Sequence, residues 1–156
     1  MPEVTPPPQP AAQPGTWTDP YGAFNWRIDI RDKTEARFCR CSGIGARVQA
    51  PAYREGGAHA ITHRLVGPVE YADVTLEYGL TDSREMWNWM LASIEGRVQR
   101  INVSVVMLKS DGVTEAYRWD LMNAWPVEWR LGPLDAMGHE VAIAYLTLVY
   151  ESLEMR

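Results

Sequence analysis

Between Phe24 and Ile30 the chain alternates, with Phe24, Trp26, Ile28 and Ile30 on one side and Asn25, Arg27 and Asp29 on the other. A period of two is the mark of a strand with one buried face. A second apolar and polar mixture runs from Ala36 to Ile44, is stopped by Gly43 and Gly45, and extends again from Arg47 to Arg54. That pattern predicts two strands joined by a glycine turn. Glu55, Gly56, Gly57 and Ala58 carry no apolar face and predict a loop, followed by a short strand from Thr62 to Val66. Beyond the break at Gly67 and Pro68, the alternation of Ala72, Val74, Leu76 and Tyr78 with Asp73, Thr75 and Glu77 predicts another strand.

A single segment has helical period. Trp87, Met90, Leu91 and Ile94 fall at i, i+3, i+4 and i+7, which predicts a helix over Asp82 to Glu95. Asp82 stands as its N-cap, Glu85 three residues on as the capping-box partner, and Gly96 as its stop. Trp87 would then face a sheet, and Trp89 would face outward.

A strand follows with Ile101, Val103, Val105 and Met107 on one face, ending at Asp111 and Gly112, a dipeptide that turns a hairpin. The return strand sets Tyr117, Trp119 and Leu121 against Arg118 and Asp120 and is expected to end at Trp125 and Pro126. Trp129 would then lie in a loop-rich stretch. A last strand, Glu140 to Glu151, is apolar on both faces, so it should be covered on both sides, either within one domain or partly against another copy.

Composition narrows the function. Residues 1–16 hold six of the eleven prolines and a single charge, Glu3, so they read as an extended tail ahead of a domain over 17–156. A net charge of −5 leaves no global field to hold a nucleic-acid backbone. No apolar stretch approaches the roughly 20 residues that span a bilayer as a helix. The N-terminus lacks the pattern of a secretory leader, so synthesis in the cytoplasm is expected. Cys39 and Cys41, two residues apart on a strand, are poorly placed to bridge each other and are expected as reduced thiols.

No catalytic constellation emerges. His59 and His63 have the spacing of a helical metal pair, but they fall on a loop and a strand with no intervening HExxH glutamate. Gly43-Ile44-Gly45 lacks the third glycine and the following helix of a dinucleotide loop. No catalytic, cofactor or metal residue is therefore assigned. The residues singled out are candidates for subunit contact: the Tyr53, Arg54, Glu55, Gly56 and Gly57 loop, with its charge pair and two glycines, and the outward tryptophans Trp89 and Trp129.

From Asp19 to Leu153 the chain resembles the tail-tube proteins of contractile phages and of related extracellular contractile injection systems. The carriers are the opening DPYGAFNWRIDI, the CSGIGA turn, the YREGG loop, the run HRLVGPVEYADVTLEYGLTDSREMWNW, then DLMNAWPVEW and GHEVAIAYLTLVYESLE, in that order. The resemblance implies a mainly β fold, two packed sheets forming a barrel-like sandwich with one flanking helix, similar to the ring-forming tube protein of type VI secretion. It also implies a structural, non-enzymatic subunit of sixfold rings stacked through extended loops, with sheath and baseplate proteins as further partners. The long proline-rich start and the AHAITH stretch match no family pattern, which leaves both the main tube and a specialised baseplate- or cap-end ring open. From another class, a monomeric ligand-binding β-barrel remains the rival.

Overall fold

A computed structural model describes residues 19–31, 33–35, 38–57 and 60–156; the proline-rich tail, Ala58 and His59 lie outside them. The strands, in order, are β1 Trp26–Ile30, β2 Lys33–Glu35, β3 Phe38–Ser42, β4 Ala46–Val48, β5 Ala52–Tyr53, β6 His63–Arg64, β7 Val69–Tyr71 and β8 Val74–Gly79. Then come helix α1 Glu85–Ile94 and strands β9 Ile101–Leu108, β10 Glu115–Leu131, β11 Ile143–Val149 and β12 Ser152–Met155. The fold is mainly β, two sheets packed as a sandwich that does not close into a barrel, with one helix among the described residues.

The first sheet runs β2-β1-β9-β10-β12 and the second β10-β11-β8-β3, every pairing antiparallel. Strand β10 belongs to both. Its N-terminal half lies between β9 and β12, and its C-terminal half continues into the other sheet beside β11. The corner is at Asn123, whose φ is 53° and which sits in a register shift between Leu121 and Ala124. Asparagine tolerates this left-handed backbone, and a bulge is how a strand changes sheets. The Asn123 N–H donates to Asn102 Oδ1 at 3.0 Å and its side-chain amide donates to Glu151 Oε2 at 2.8 Å, which pins the bend. The strand therefore does not end at Pro126. Past Ala124 it has a ladder partner on one side only, and a proline with no N–H is tolerated on such an edge.

Between the sheets Ile28, Val74, Leu76, Val103, Leu121, Leu146 and Leu148 are fully buried, so the centre of the sandwich is packed with side chains. Phe24 is not part of this face. It lies in the turn before β1 and is 81% exposed. The strand expected last is β11, shorter than 140–151 and followed by β12; it buries Ala144, Leu146 and Leu148, while Ile143, Tyr145 and Val149 on its other face stay half-buried in the single subunit.

The helix packs in a different phase from the expected one. Trp89 is buried at 5% exposure, with Met86 and Met90 packed beside it, while Trp87 is 38% and Ile94 60% exposed. Because EMWNWMLASI is apolar nearly all round, Met86, Trp89, Met90 and Ser93 satisfy the same i, i+3, i+4, i+7 template. The indole of Trp89 decides between them, donating to the Gln99 carbonyl at 2.8 Å. The N-cap also differs: it is Arg84, with no side-chain cap bond, and Glu85 opens the helix. At the C-terminus Gly96 has φ +78°, and the Arg97 N–H reaches the Ala92 carbonyl at 2.8 Å in a Schellman closure.

Gly43 is the tightest glycine. Its φ is +97°, and a Cβ there would lie 2.2 Å from the Asp73 carbonyl oxygen. Gly43→Ala is expected to cost at least the roughly 1 to 3 kcal/mol of a strained backbone, read as a lowered urea midpoint with an unchanged m-value. An unshifted midpoint would mean that the backbone between β3 and β4 relaxes freely; those two strands run on in one direction, so Gly43 interrupts a strand rather than turning the chain between them as expected.

Candidate assembly surfaces

Strands β3 and β8 do not stop at the sheet. Their ladder pairs Ser42 with Thr75, then Ala46 with Tyr71, Val48 with Val69, Ala52 with Arg64 and Tyr53 with His63. Backbone bonds bridge the gaps: Ala72 N–H to Gly45 O at 3.0 Å, Gln49 N–H to Pro68 O at 2.9 Å and Leu65 N–H to Pro51 O at 2.9 Å. Residues 38–79 thus form one long hairpin whose outer half leaves the body as a two-stranded arm. At about 3.3 Å per residue the arm reaches up to roughly 35 Å beyond Ser42.

That arm carries Val48, Tyr53, Ile61, Leu65, Val66 and Val69 in exposed positions, Val66 at 88%. A two-stranded ribbon is at best marginally stable in water, and its only side-chain link across the described strands is Gln49 to Glu70. An apolar ribbon of this kind needs a second surface to lie on. Tyr53 ends β5, and Arg54, Glu55, Gly56 and Gly57 follow it as a loop at the start of the arm's tip; Gly57 has φ +123° with open space around it. Arg54 and Glu55 are both exposed, and neither forms a salt bridge within the described residues of one subunit.

The tryptophan candidates divide. Trp89 is a core residue, so the expectation that it faces outward is corrected. Trp129 is in β10, not in a loop; it is half-buried, donates from Nε1 to the Tyr78 hydroxyl at 2.8 Å, and meets Trp87 edge-on at 5.0 Å between ring centroids. Trp87 was the ring expected inside, yet it is the one that reaches the surface.

At the other end of the second sheet, Leu131 pairs with Ala144 and Gly79 with Ile143, and the chain between β10 and β11 emerges there as a loop over residues 132–142. Asp135 shapes it, accepting the Met137 N–H on Oδ1 at 2.9 Å while its carbonyl accepts from Gly138 at 3.2 Å. Leu134, Met137 and Val141 stand exposed on it, Met137 at 89%.

The charged face of the first sheet is self-contained. Asp29 and Asp120, both nearly buried, are covered by Arg27, Arg118 and Arg156, and Ser104 donates to Asp120 at 2.6 Å. In the β9–β10 turn the Asp111 carboxyl is held down at about 2, by the Thr114 hydroxyl first and then by the Val113 and Thr114 N–H groups. Its folded value is depressed, so its contribution is present above the ordinary carboxylate range and is lost as pH falls towards 2.

An open cleft between the sheets is lined by Trp26, Cys41, Ile44, Val105, Met107 and Trp119. Burial pushes the Cys41 thiol up to about 11, which makes it a poor nucleophile. Among the described residues no three histidine, cysteine or acidic side chains converge as a metal set, and no helix is long and apolar enough to cross a membrane.

Solved structures share this fold. The tube-terminating cap of the anti-feeding prophage superposes with a TM-score of 0.84 at 19% identity, covering 94% of this chain and 97% of that one. A chain of the anti-feeding prophage baseplate gives 0.79 at 24% identity over 90% and 97%. A chain of the sheath-tube complex of an extracellular contractile injection system, PVC, in its extended state gives 0.79 at 19% over 88% and 91%. Comparison by sequence with curated proteins finds no match. The family model for the T4-like virus tail tube protein gp19, however, matches residues 22–154, from before β1 into β12. The arm, the shared strand and the single helix all fall within that match, and the chain belongs to the T4-like virus tail tube protein family.

Proposed function

We propose that this chain is a structural subunit of the inner tube of a phage tail or contractile injection particle, assembling with its own kind into sixfold rings that stack into a conduit. The observation that carries the reading is the arm: a two-stranded ribbon reaching up to roughly 35 Å, with six exposed large apolar side chains that no described residue of the subunit covers. Burying each on a neighbour would contribute up to about 1.5 to 3 kcal/mol, enough in sum for a stable contact. Lateral growth is supported by the second sheet, which ends in β3 on one side and in the C-terminal half of β10 on the other, both without a further ladder among the described residues. Free edges of this kind invite strand addition from a neighbour.

The work is mechanical, and no catalytic residue or cofactor is assigned to it. Sheath and baseplate proteins of the same particle are the further partners, since the chains of matching fold come from sheath-tube, baseplate and cap assemblies. Synthesis and assembly in the cytoplasm, before the particle is released, complete the reading. Negative-stain micrographs of the purified protein test it: rings or tubes are expected, and a protein that stays monomeric at every concentration would overturn it in favour of the monomeric rival. Residues 1–16 are proposed as a tail outside the domain, so deleting them should leave the melting temperature within a degree or two; a large fall would place them in the folded unit.

A further inference from the structure

We infer that the loop over residues 132–142 is the seat for the arm of the next copy, so that stacking is a head-to-tail contact between two unlike surfaces of one chain. This rests on the tube reading above and names the partner surface within it. The two surfaces lie at opposite ends of the second sheet. The arm leaves where Ser42 faces Thr75, and the loop leaves where Leu131 faces Ala144 and Gly79 faces Ile143.

Both surfaces are apolar and exposed. Ile61, Leu65 and Val66 stand on the arm, and Leu134, Met137 and Val141 on the loop. Their charges are complementary. The arm carries Arg47, Arg54 and Arg64 against Glu55 and Glu70, with Glu70 already engaged by Gln49. The loop carries Asp135 and Glu140 and no arginine or lysine. The loop is also preformed, because Asp135 holds its turn with two bonds, so little ordering is needed when the arm arrives.

Unlike surfaces at opposite poles give a heterologous contact, which repeats without closing on itself and builds a stack of open length. A subunit with two adhesive poles suits a ring repeated along the tube. A terminal ring needs only one.

The test uses the full chain with Cys39→Ser, Cys41→Ala and two further changes at exposed positions, Ile61→Cys on the arm and Met137→Cys on the loop, treated with a short bismaleimide after assembly. A denaturing gel should then show a ladder of trimers and longer products, while either single cysteine variant should give dimers at most. In parallel, Glu140→Arg should restore to Arg54→Glu protein the tubes that the single charge reversal removes. Tubes that give no ladder, a ladder that stops at dimers, or a double charge swap that stays unstacked would each overturn the seat while leaving the tube reading intact. Failure of the unmodified chain to form rings at all would instead overturn the tube reading.

Discussion

Trp89→Ala is expected to unfold the subunit far more readily than Trp87→Ala. Trp89 is buried beneath α1, and truncating a buried tryptophan costs about 3 to 5 kcal/mol. The change also leaves the Gln99 carbonyl without the indole N–H that it accepts at 2.8 Å. At more than a third exposed, Trp87 fills less of the core. Its loss removes the edge-on contact with Trp129, worth about 0.5 to 1.5 kcal/mol, and some apolar area. Denaturant melts of the two variants, run on protein kept monomeric, check the order. Equal midpoints, or the reverse order, would mean that α1 is rotated by about one residue from the phase described.

Arg54→Glu is expected to leave a folded subunit that no longer extends into tubes. Arg54 is exposed and forms no salt bridge among the described residues of one copy, so folding should change by no more than about 0.5 kcal/mol. In the stack inferred above the same change would set like charges against Asp135 and Glu140, and like charges brought together cost several kcal/mol at an interface. Val66→Asp should act in the same direction for a different reason, by forcing a carboxylate into an apolar contact. Arg31→Glu is the control. Arg31 sits in the turn after β1, away from the arm, and its side chain makes one exposed bond to Gln99 at 3.1 Å. Full-length tubes from Arg54→Glu protein with an unchanged circular dichroism spectrum would remove the arm tip from the axial contact.

Within the candidate site, the YREGG stretch was legible because two glycines beside a charge pair have no use in a core. Its setting was not. The strands flanking it each pair with one partner and expose almost every side chain, so their short apolar runs look locally like those of the sheet. The loop over 132–142 misleads in the other direction: Leu134, Met137 and Val141 fall at i, i+3 and i+7, a helical spacing that Gly138 interrupts, and they acquire meaning only through the end of the sheet from which they emerge.

The alternation of apolar and polar residues by itself determined that the chain is mainly β, and it identified the buried face of β8 from Val74, Leu76 and Tyr78, as well as the break in the strand at Gly43. Those features are local, decided by side-chain period and by the backbone angles that a residue can adopt. Only the tertiary structure decided that β10 runs through Pro126 into a second sheet, that Trp89 rather than Trp87 enters the core, and that the hairpin from 38 to 79 leaves the body as an arm. Each depends on what lies on the far side of the residue: whether a ladder partner needs the proline's missing N–H, which of two tryptophans finds a carbonyl to donate to, and whether a strand has another beside it. Those neighbours come from segments distant in the chain, so the period of a single stretch carries no record of them.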